Sequence, residues 1–261
     1  MTELAYSLAG ALVGFLVGMT GVGGGSLMAP ILVLGFGFAP AMAIGTDLWF
    51  ATLTKSVGGI VHRRFGSPDW KVIVRLALGS VPAAIVTLFY LNSEQGGSLD
   101  AKLLMKLLGA MLVLTAIIVP IKHIIHSPVT LLRRKLGARV GTVQVIMTVV
   151  AGAVVGCLVT LTSIGAGALV ALVLMLLYPL RLSAKSLVGT DIVHAIPLAL
   201  IAAVGHSWLG NVDWSLLGML LIGSVPGVIA GSLAAGRVSE TWVRLTLAAM
   251  LGFSGMKMLL A

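Results

Sequence analysis

Charge is scarce in this chain: only 10% of its 261 residues are Asp, Glu, Lys or Arg, where an ordinary soluble domain carries about a quarter. That shortage excludes a water-soluble globular enzyme. A single cysteine, Cys157, leaves no internal disulfide and no thiolate metal cluster to consider, and its place inside an apolar run marks it as a packing residue. No loop of the G-x-x-x-x-G-K-[ST] type occurs, which argues against an ATP-driven pump in this chain. No basic stretch precedes the first apolar run, where Glu3 stands instead, so that run is expected to be retained as a membrane segment.

What the chain has in abundance is apolar sequence: 59% hydrophobic residues, a mean hydropathy of +1.12 and 33 glycines. Hydrophobic stretches of near-membrane length recur from end to end, the mark of an all-α polytopic membrane protein. Turn residues and charges bound segments at 4–20, 22–37, 40–62, 70–92 and 102–121, and again at 141–161, 164–180, 184–207, 213–235 and 241–260. Between the sets lies 122–139, with Lys122, Arg133, Arg134, Lys135 and Arg139. It divides the chain into a first membrane half (1–121), a basic linker (122–139) and a second half (140–261).

The net charge of +9 reads as a topology signal, with no nucleic acid implied. With one crossing per segment, Arg63, Arg64, Lys71, Arg75, the five residues of the linker, Arg181, Lys185, Arg237 and Arg244 share one side. The positive-inside rule makes that side cytoplasmic and puts both termini outside, in a bacterial inner membrane. The short, glycine-broken segments 22–37 and 164–180 can each re-enter as a hairpin with the preceding segment without changing the parity.

Sliding the sequence by 144 residues aligns Gly21 with Gly165, Gly23 with Gly167, Gly45-Thr46-Asp47 with Gly189-Thr190-Asp191, and His62 with His206. The same offset aligns Asp69-Trp70 with Asp213-Trp214 and Gly79-Ser80-Val81-Pro82 with Gly223-Ser224-Val225-Pro226. Five segments per repeat is an odd number, so the second repeat is expected to enter the bilayer inverted. Secondary transporters with such repeats bind substrate near the midplane between them. A duplication kept only for packing is the competing reading.

Polar and glycine-rich positions suggest where a substrate sits. Thr20 to Ser26, with Gly21, Gly23, Gly24 and Gly25, interrupts the first half, and Thr162 to Ala168, with Ser163, Gly165 and Gly167, interrupts the second. Glycine lets a ligand approach the backbone closely, and a helix restarting after a break offers free N–H groups to an anion. Close small-residue helix packing is the alternative, as Gly10-Gly14-Gly18 provides. Asp47 and Asp191 are the only acids well inside spans, about 10 Å deep at 1.5 Å per residue, so each is a candidate proton carrier. Thr46 and Thr190 either line the site or bond to neighbouring structure. His194, three residues after Asp191, and Lys55, two helical turns after Asp47, would adjust the charge of the site. His62 and His206 are expected at the interface. Nothing calls for a metal or a cofactor.

Gly21-Val22-Gly23-Gly24-Gly25 with Pro30, then Ala43-Ile44-Gly45-Thr46-Asp47-Leu48, resembles the TauE/SafE family of membrane permeases, also called the toluene sulfonate uptake permease family. Ser163-Ile164-Gly165-Ala166-Gly167 and Val188-Gly189-Thr190-Asp191-Ile192 repeat the pattern, so the resemblance covers essentially the whole chain. It implies transport without ATP of a small sulfur-containing anion such as sulfite, thiosulfate or an organosulfonate. The family more often has serine where this chain has Asp47 and Asp191, and Ala166 and Ala168 thin the second glycine cluster. An inside-negative potential of 100 mV is worth about 2.3 kcal/mol per charge, so a monoanion leaves a cell downhill and enters only with coupling, for which the two aspartates are the natural proton carriers. A passive anion channel and an intramembrane aspartyl protease are the alternatives. The expected partners are the anion and the lipid bilayer, and a homo-oligomer is compatible with the sequence.

Overall fold

The computed structural model describes residues 2–20, 27–61, 68–93, 100–136, 141–234 and 240–261, and every regular element among them is helical. The helices are α1 (Thr2–Thr20), α2 (Met28–Pro30, running into a π-helical turn Ile31–Gly35), α3 (Pro40–Val61), α4 (Trp70–Asn92) and α5 (Ala101–Leu136). The second half supplies α6 (Gly141–Thr162), α7 (Ala168–Leu177), α8 (Ala184–Trp208), α9 (Trp214–Ala234) and α10 (Glu240–Leu260). Seven of the described helices (α1, α4, α5, α6, α8, α9 and α10) are long and apolar enough to cross a membrane. α3 has 22 residues, about 33 Å at 1.5 Å per residue, but carries Asp47 and Lys55. α7 has 10 residues, about 15 Å, half the thickness of a bilayer core.

The stretch expected as a linker is largely helical, because α5 continues to Leu136. Residues 129–136 are mostly Leu, Arg and Lys, all good helix formers, and the first glycine comes only at Gly137.

The two halves pack crosswise. α1 lies on α9 with Gly10, Gly14 and Gly18 against the backbone of Leu220, Ser224 and Val228, in that order, so the two helices run parallel. α6 lies on α4 in the same way, with Gly152 and Gly156 against the backbone of Leu76 and Ser80. A Cβ at any of these glycines would overlap the facing main chain; absence of a side chain is what lets the helices touch. The two interfaces correspond, with a slip: Leu220 and Ser224 stand 144 residues after Leu76 and Ser80, while Gly152 and Gly156 stand 142 after Gly10 and Gly14.

Other contacts set the remaining directions. Ser80 meets His194 and Leu88 meets Gly205, so α4 and α8 are parallel. Thr46 meets Asp213 and Gly58 meets Val228, so α3 and α9 are parallel. α5 and α10 are antiparallel, Gly109 lying by Leu259 and Ala116 by Gly252. α1, α3 and α9 therefore run one way and α4, α6 and α8 the other. The chain must come back between α1 and α3, and again between α6 and α8, and the described residues 27–39 and 163–183 belong to these two returns. The start of α1 and the end of α10 share one face, called here the terminal face. The end of α5 and the start of α6 share the other, the linker face. α3 and α8, each the third helix of its half, lie against one another at the centre.

Large apolar side chains cover the outside, among them Leu8 and Leu12 on α1 and Leu78, Val86 and Phe89 on α4. Such a belt is what lipid contact requires. The polar residues are inside instead: Thr46, Asp47, Ser80, Thr190, Asp191 and His194 are all buried.

Candidate transport site

The centre of the molecule is built on α3, α8 and the break after α6. Thr52, Thr54 and Ser56 turn their hydroxyls onto carbonyls of α3 itself, at 2.7 Å, and so satisfy themselves locally. Asp47 and Lys55 are the charged groups of α3, and Lys55 reaches the other half. Asp47 is fully buried; both its carboxylate oxygens and the Ser163 hydroxyl are without a hydrogen-bond partner among the described residues, and the charge of Lys55 acts on it. Lys55 is part-buried; its Nζ donates to the Ala166 carbonyl at 3.1 Å, and its charge acts on both Asp47 and Asp191. His194, almost wholly buried, bonds through Nε2 to Ser80 Oγ at 2.9 Å and faces Lys55.

The break itself is shaped by two left-handed residues. Ser163 has φ +57° and Gly165 φ +117°, and the second value lies where an L side chain is strained. Between them the Ile164 N–H donates to Thr162 Oγ1 at 3.2 Å. Gly167 caps α7, its carbonyl accepting from the Ala171 N–H at 3.0 Å. Thr162, Ser163, Ile164 and Ala166 are all buried, so non-helical backbone at this depth is covered by protein, as the bilayer demands.

Asp47, Lys55, Ser163, Asp191 and His194 are thus brought to one place, with Gly165 and Gly167 shaping the loop that Lys55 touches. Thr46 and Thr190 are engaged elsewhere. The Asp213 N–H donates to Thr46 Oγ1 at 3.1 Å, and the Asp69 N–H donates to Thr190 Oγ1 at 2.9 Å. Each hydroxyl therefore ties α3 or α8 to the residue preceding the fourth helix of the opposite half. Gly21, Gly23, Gly24, Gly25 and Ser26 lie outside the described residues, as does His62. His206 is buried, Nε2 bonding the Thr160 carbonyl at 2.9 Å, because the end of α8 tucks against α6 instead of reaching the surface. Two participants were not singled out from sequence. Ser80 belongs to a conspicuous repeat motif, which was a usable signal; the Ala166 carbonyl is a backbone group and left none.

A cavity of about 350 Å³ opens on the terminal face, among the start of α3, the ends of α4, α6 and α8 and the start of α5. Ile44 and Leu161 line its inner end, three residues before Asp47 and two before Ser163. His206, Asn211 and Asn92 supply its polar groups.

This arrangement can be set beside known proteins. The profile of the family described as "Sulfite exporter TauE/SafE" matches residues 6–258, nearly the full chain. The chain belongs to the TauE/SafE family. Among curated TauE/SafE-like relatives, it is 34% identical to "Probable membrane transporter protein YjnA" of Bacillus subtilis (strain 168), covering 98% of this chain and 100% of that one. It is 29% identical to "Probable membrane transporter protein YdhB" of the same organism, over 85% of each chain. "Probable membrane transporter protein MJ0441" of Methanocaldococcus jannaschii is 24% identical over 97% of this chain and 94% of its own. No solved structure matches. As a TauE/SafE protein with seven candidate spans among its described residues, the chain is a multi-pass membrane transporter.

Proposed function

We propose that this protein is a secondary transporter of a small sulfur-containing anion, such as sulfite, thiosulfate or an organosulfonate, working by alternating access with proton coupling. The family description supports the substrate class. The observation that carries the mechanism is Lys55: a cation at the centre, its amine bonded to the Ala166 carbonyl of the break and acting on a carboxylate from each half.

With Asp47 and Asp191 both ionised, the cluster carries a net charge of −1 with Lys55, and an anion entering it is repelled. Protonation of either carboxyl brings the cluster to zero and frees Lys55 to pair with a substrate oxygen in place of the Ala166 carbonyl. The Ser163 hydroxyl and the N–H groups at the start of α7 supply further donors to a tetrahedral or pyramidal oxyanion. Proton and anion would then bind together, and the anion's charge would be offset during passage through the low-dielectric centre. Gly21 to Ser26 would complete the site from the first half.

The antiparallel pairing of α5 with α10, and the matching crosswise pairs α1–α9 and α4–α6, support an inverted-repeat relation between the halves. Rocking of one half against the other would expose the cluster to each face in turn. The basic residues gathered toward the linker face favour that face as cytoplasmic, in a bacterial inner membrane.

The deciding experiment is flux of labelled sulfite, thiosulfate and a sulfonate in proteoliposomes, with the pH gradient and the membrane potential imposed separately. Saturable flux driven by the pH gradient, and lost in Asp47→Asn or Asp191→Asn, is expected. Flux that follows potential alone, without saturation, would make the protein a passive anion channel.

A further inference from the structure

The two faces of the molecule are closed by different chemistry, although the repeat relates them. On each face a threonine hydroxyl of one half holds the backbone at the start of the other half's fourth helix: Thr46 with Asp213 on the terminal face, Thr190 with Asp69 on the linker face. These two bonds are counterparts at the 144-residue offset. Asp213 also caps α9 through the Leu216 N–H as Asp69 caps α4, and beyond these caps the two faces differ.

On the linker face, Asp69 caps α4 by accepting from the Lys71 and Val72 N–H groups, and its carboxylate also pairs with Arg181, which follows α7. The pair is bidentate, Arg181 Nη2 to Asp69 Oδ1 at 2.9 Å and Nε to Oδ2 at 2.5 Å. Behind it, Arg75 Nη1 donates to Tyr178 OH at 3.2 Å, and Tyr178 OH bonds Thr148 Oγ1 at 2.9 Å. Three elements, the start of α4, the second return and the start of α6, are therefore stitched together by charged and hydroxyl groups. On the terminal face the residue 144 before Arg181 is Gly37, which has no side chain to offer Asp213. There the first return rests on an aromatic contact, with Tyr6 edge-on to Phe36 at 4.8 Å and beside Phe38 at 6.0 Å between ring centroids. The 350 Å³ cavity opens on this face.

We propose that the Asp69–Arg181 ion pair is a one-sided latch that holds the linker face shut while the terminal face is open, so that its strength sets the balance between the two access states. The proposal rests on the alternating-access reading above. It makes Arg181 a positioning residue: it touches no part of the central cluster and acts by joining the second return to the opposite half. The carboxylate end is held ionised: burial pushes Asp69 up, but the bonds from Arg181 and from the two capping amides outweigh it and keep it below the usual carboxylate range. The pair is an add-on to the symmetric Thr190 bond, so its removal loosens the linker face without dismantling it.

The test is thiol accessibility in membranes, in a Cys157→Ser background. Leu161→Cys reports on the cavity and Val72→Cys, buried behind Asp69, reports on the linker face. A membrane-impermeant maleimide is applied from each side in turn, with no substrate present. Arg181→Gln is expected to lower the ratio of Leu161→Cys labelling from the terminal face to Val72→Cys labelling from the linker face by about two- to fivefold, the worth of an ion pair with one partner this exposed, the first rate falling and the second rising. Asp69→Asn, which keeps a capping oxygen, should act in the same direction, and Arg181→Lys, which keeps the charge but not the bidentate fork, should give a smaller change than Arg181→Gln. Unchanged rates at both reporters would overturn the latch. So would a rise at both, which would mean general loosening. Labelling needs no transported anion, so a failure of sulfur-anion flux and a failure of the latch are separate outcomes.

Discussion

Lys55 can be tested through the charges it faces. Lys55→Met keeps the length of the side chain and removes its charge, leaving Asp47 and Asp191 without the cation that acts on both. Breaking a buried ion pair by deleting one partner costs about 3–5 kcal/mol. Lys55 is part-buried, so the low end applies, about 3 kcal/mol. For a chain of this size that lowers the unfolding midpoint by about 6–12 °C. Asp47→Asn alone is milder, about 1 kcal/mol, because Lys55 keeps Asp191 as a partner. If the effects were independent, the double variant would lose about 4 kcal/mol; charges that act within one network couple by about 0.5–3 kcal/mol. Lys55→Met/Asp47→Asn restores the net charge of −1, so it should be more stable than Lys55→Met alone, with a coupling of about 2 kcal/mol. Unfolding of the four proteins in one detergent, followed by tryptophan fluorescence, closes the cycle. A double variant at or beyond the additive sum would refute the charge-balanced cluster.

Other consequences are simpler to state. Gly165→Ala puts a Cβ at φ +117°, which costs about 1–2 kcal/mol and should impair flux in proteoliposomes more than it impairs membrane insertion. Gly156→Leu drives a side chain into the Ser80 backbone and should separate α6 from α4, read as loss of monodisperse protein in gel filtration; Gly141→Leu, with open space around it, should be silent. Thr190→Val leaves the Asp69 N–H without its acceptor, at about 1–3 kcal/mol, and should shift maleimide labelling toward the linker face, while Thr46→Val shifts it the other way. Because Asp69 is held below its ordinary value, its contribution is present above the unfolded value near 3.9 and is lost only as pH falls through the lower folded value. The change in labelling ratio caused by Arg181→Gln should therefore be the same at about pH 8 and pH 5.

The helices were largely legible because their signals are local. Asp69 before Trp70 is a strong N-cap, and α4 begins at Trp70 as its segment boundary indicated. The break after Thr162 was visible in its glycines, and the aspartates stood out as the only acids within spans. Partnerships were less visible wherever they cross between halves. Nothing near Thr46 or Thr190 in the chain says that their hydroxyls will meet backbone amides at the foot of a helix 167 and 121 residues away. Ser80 and His194 are likewise brought together only by the parallel lie of α4 on α8. The helical run through 122–136 was obscured by its charge, which marks an exposed surface as readily as a loop.

The crosswise glycine seams also bear on how the protein is made. α1 ends at Thr20, yet the helix that fills its glycine face begins at Trp214. At about 5–20 residues per second, α1 waits on the order of 10–40 s in the bilayer before that partner is synthesised. Through that interval a stripe of bare backbone faces lipid, or whatever chaperone occupies it. α4 waits a much shorter time for α6. Neither half can bury its own first and fourth helices, so assembly is deferred until translation is nearly over, and two separately expressed halves should be able to find each other in one membrane.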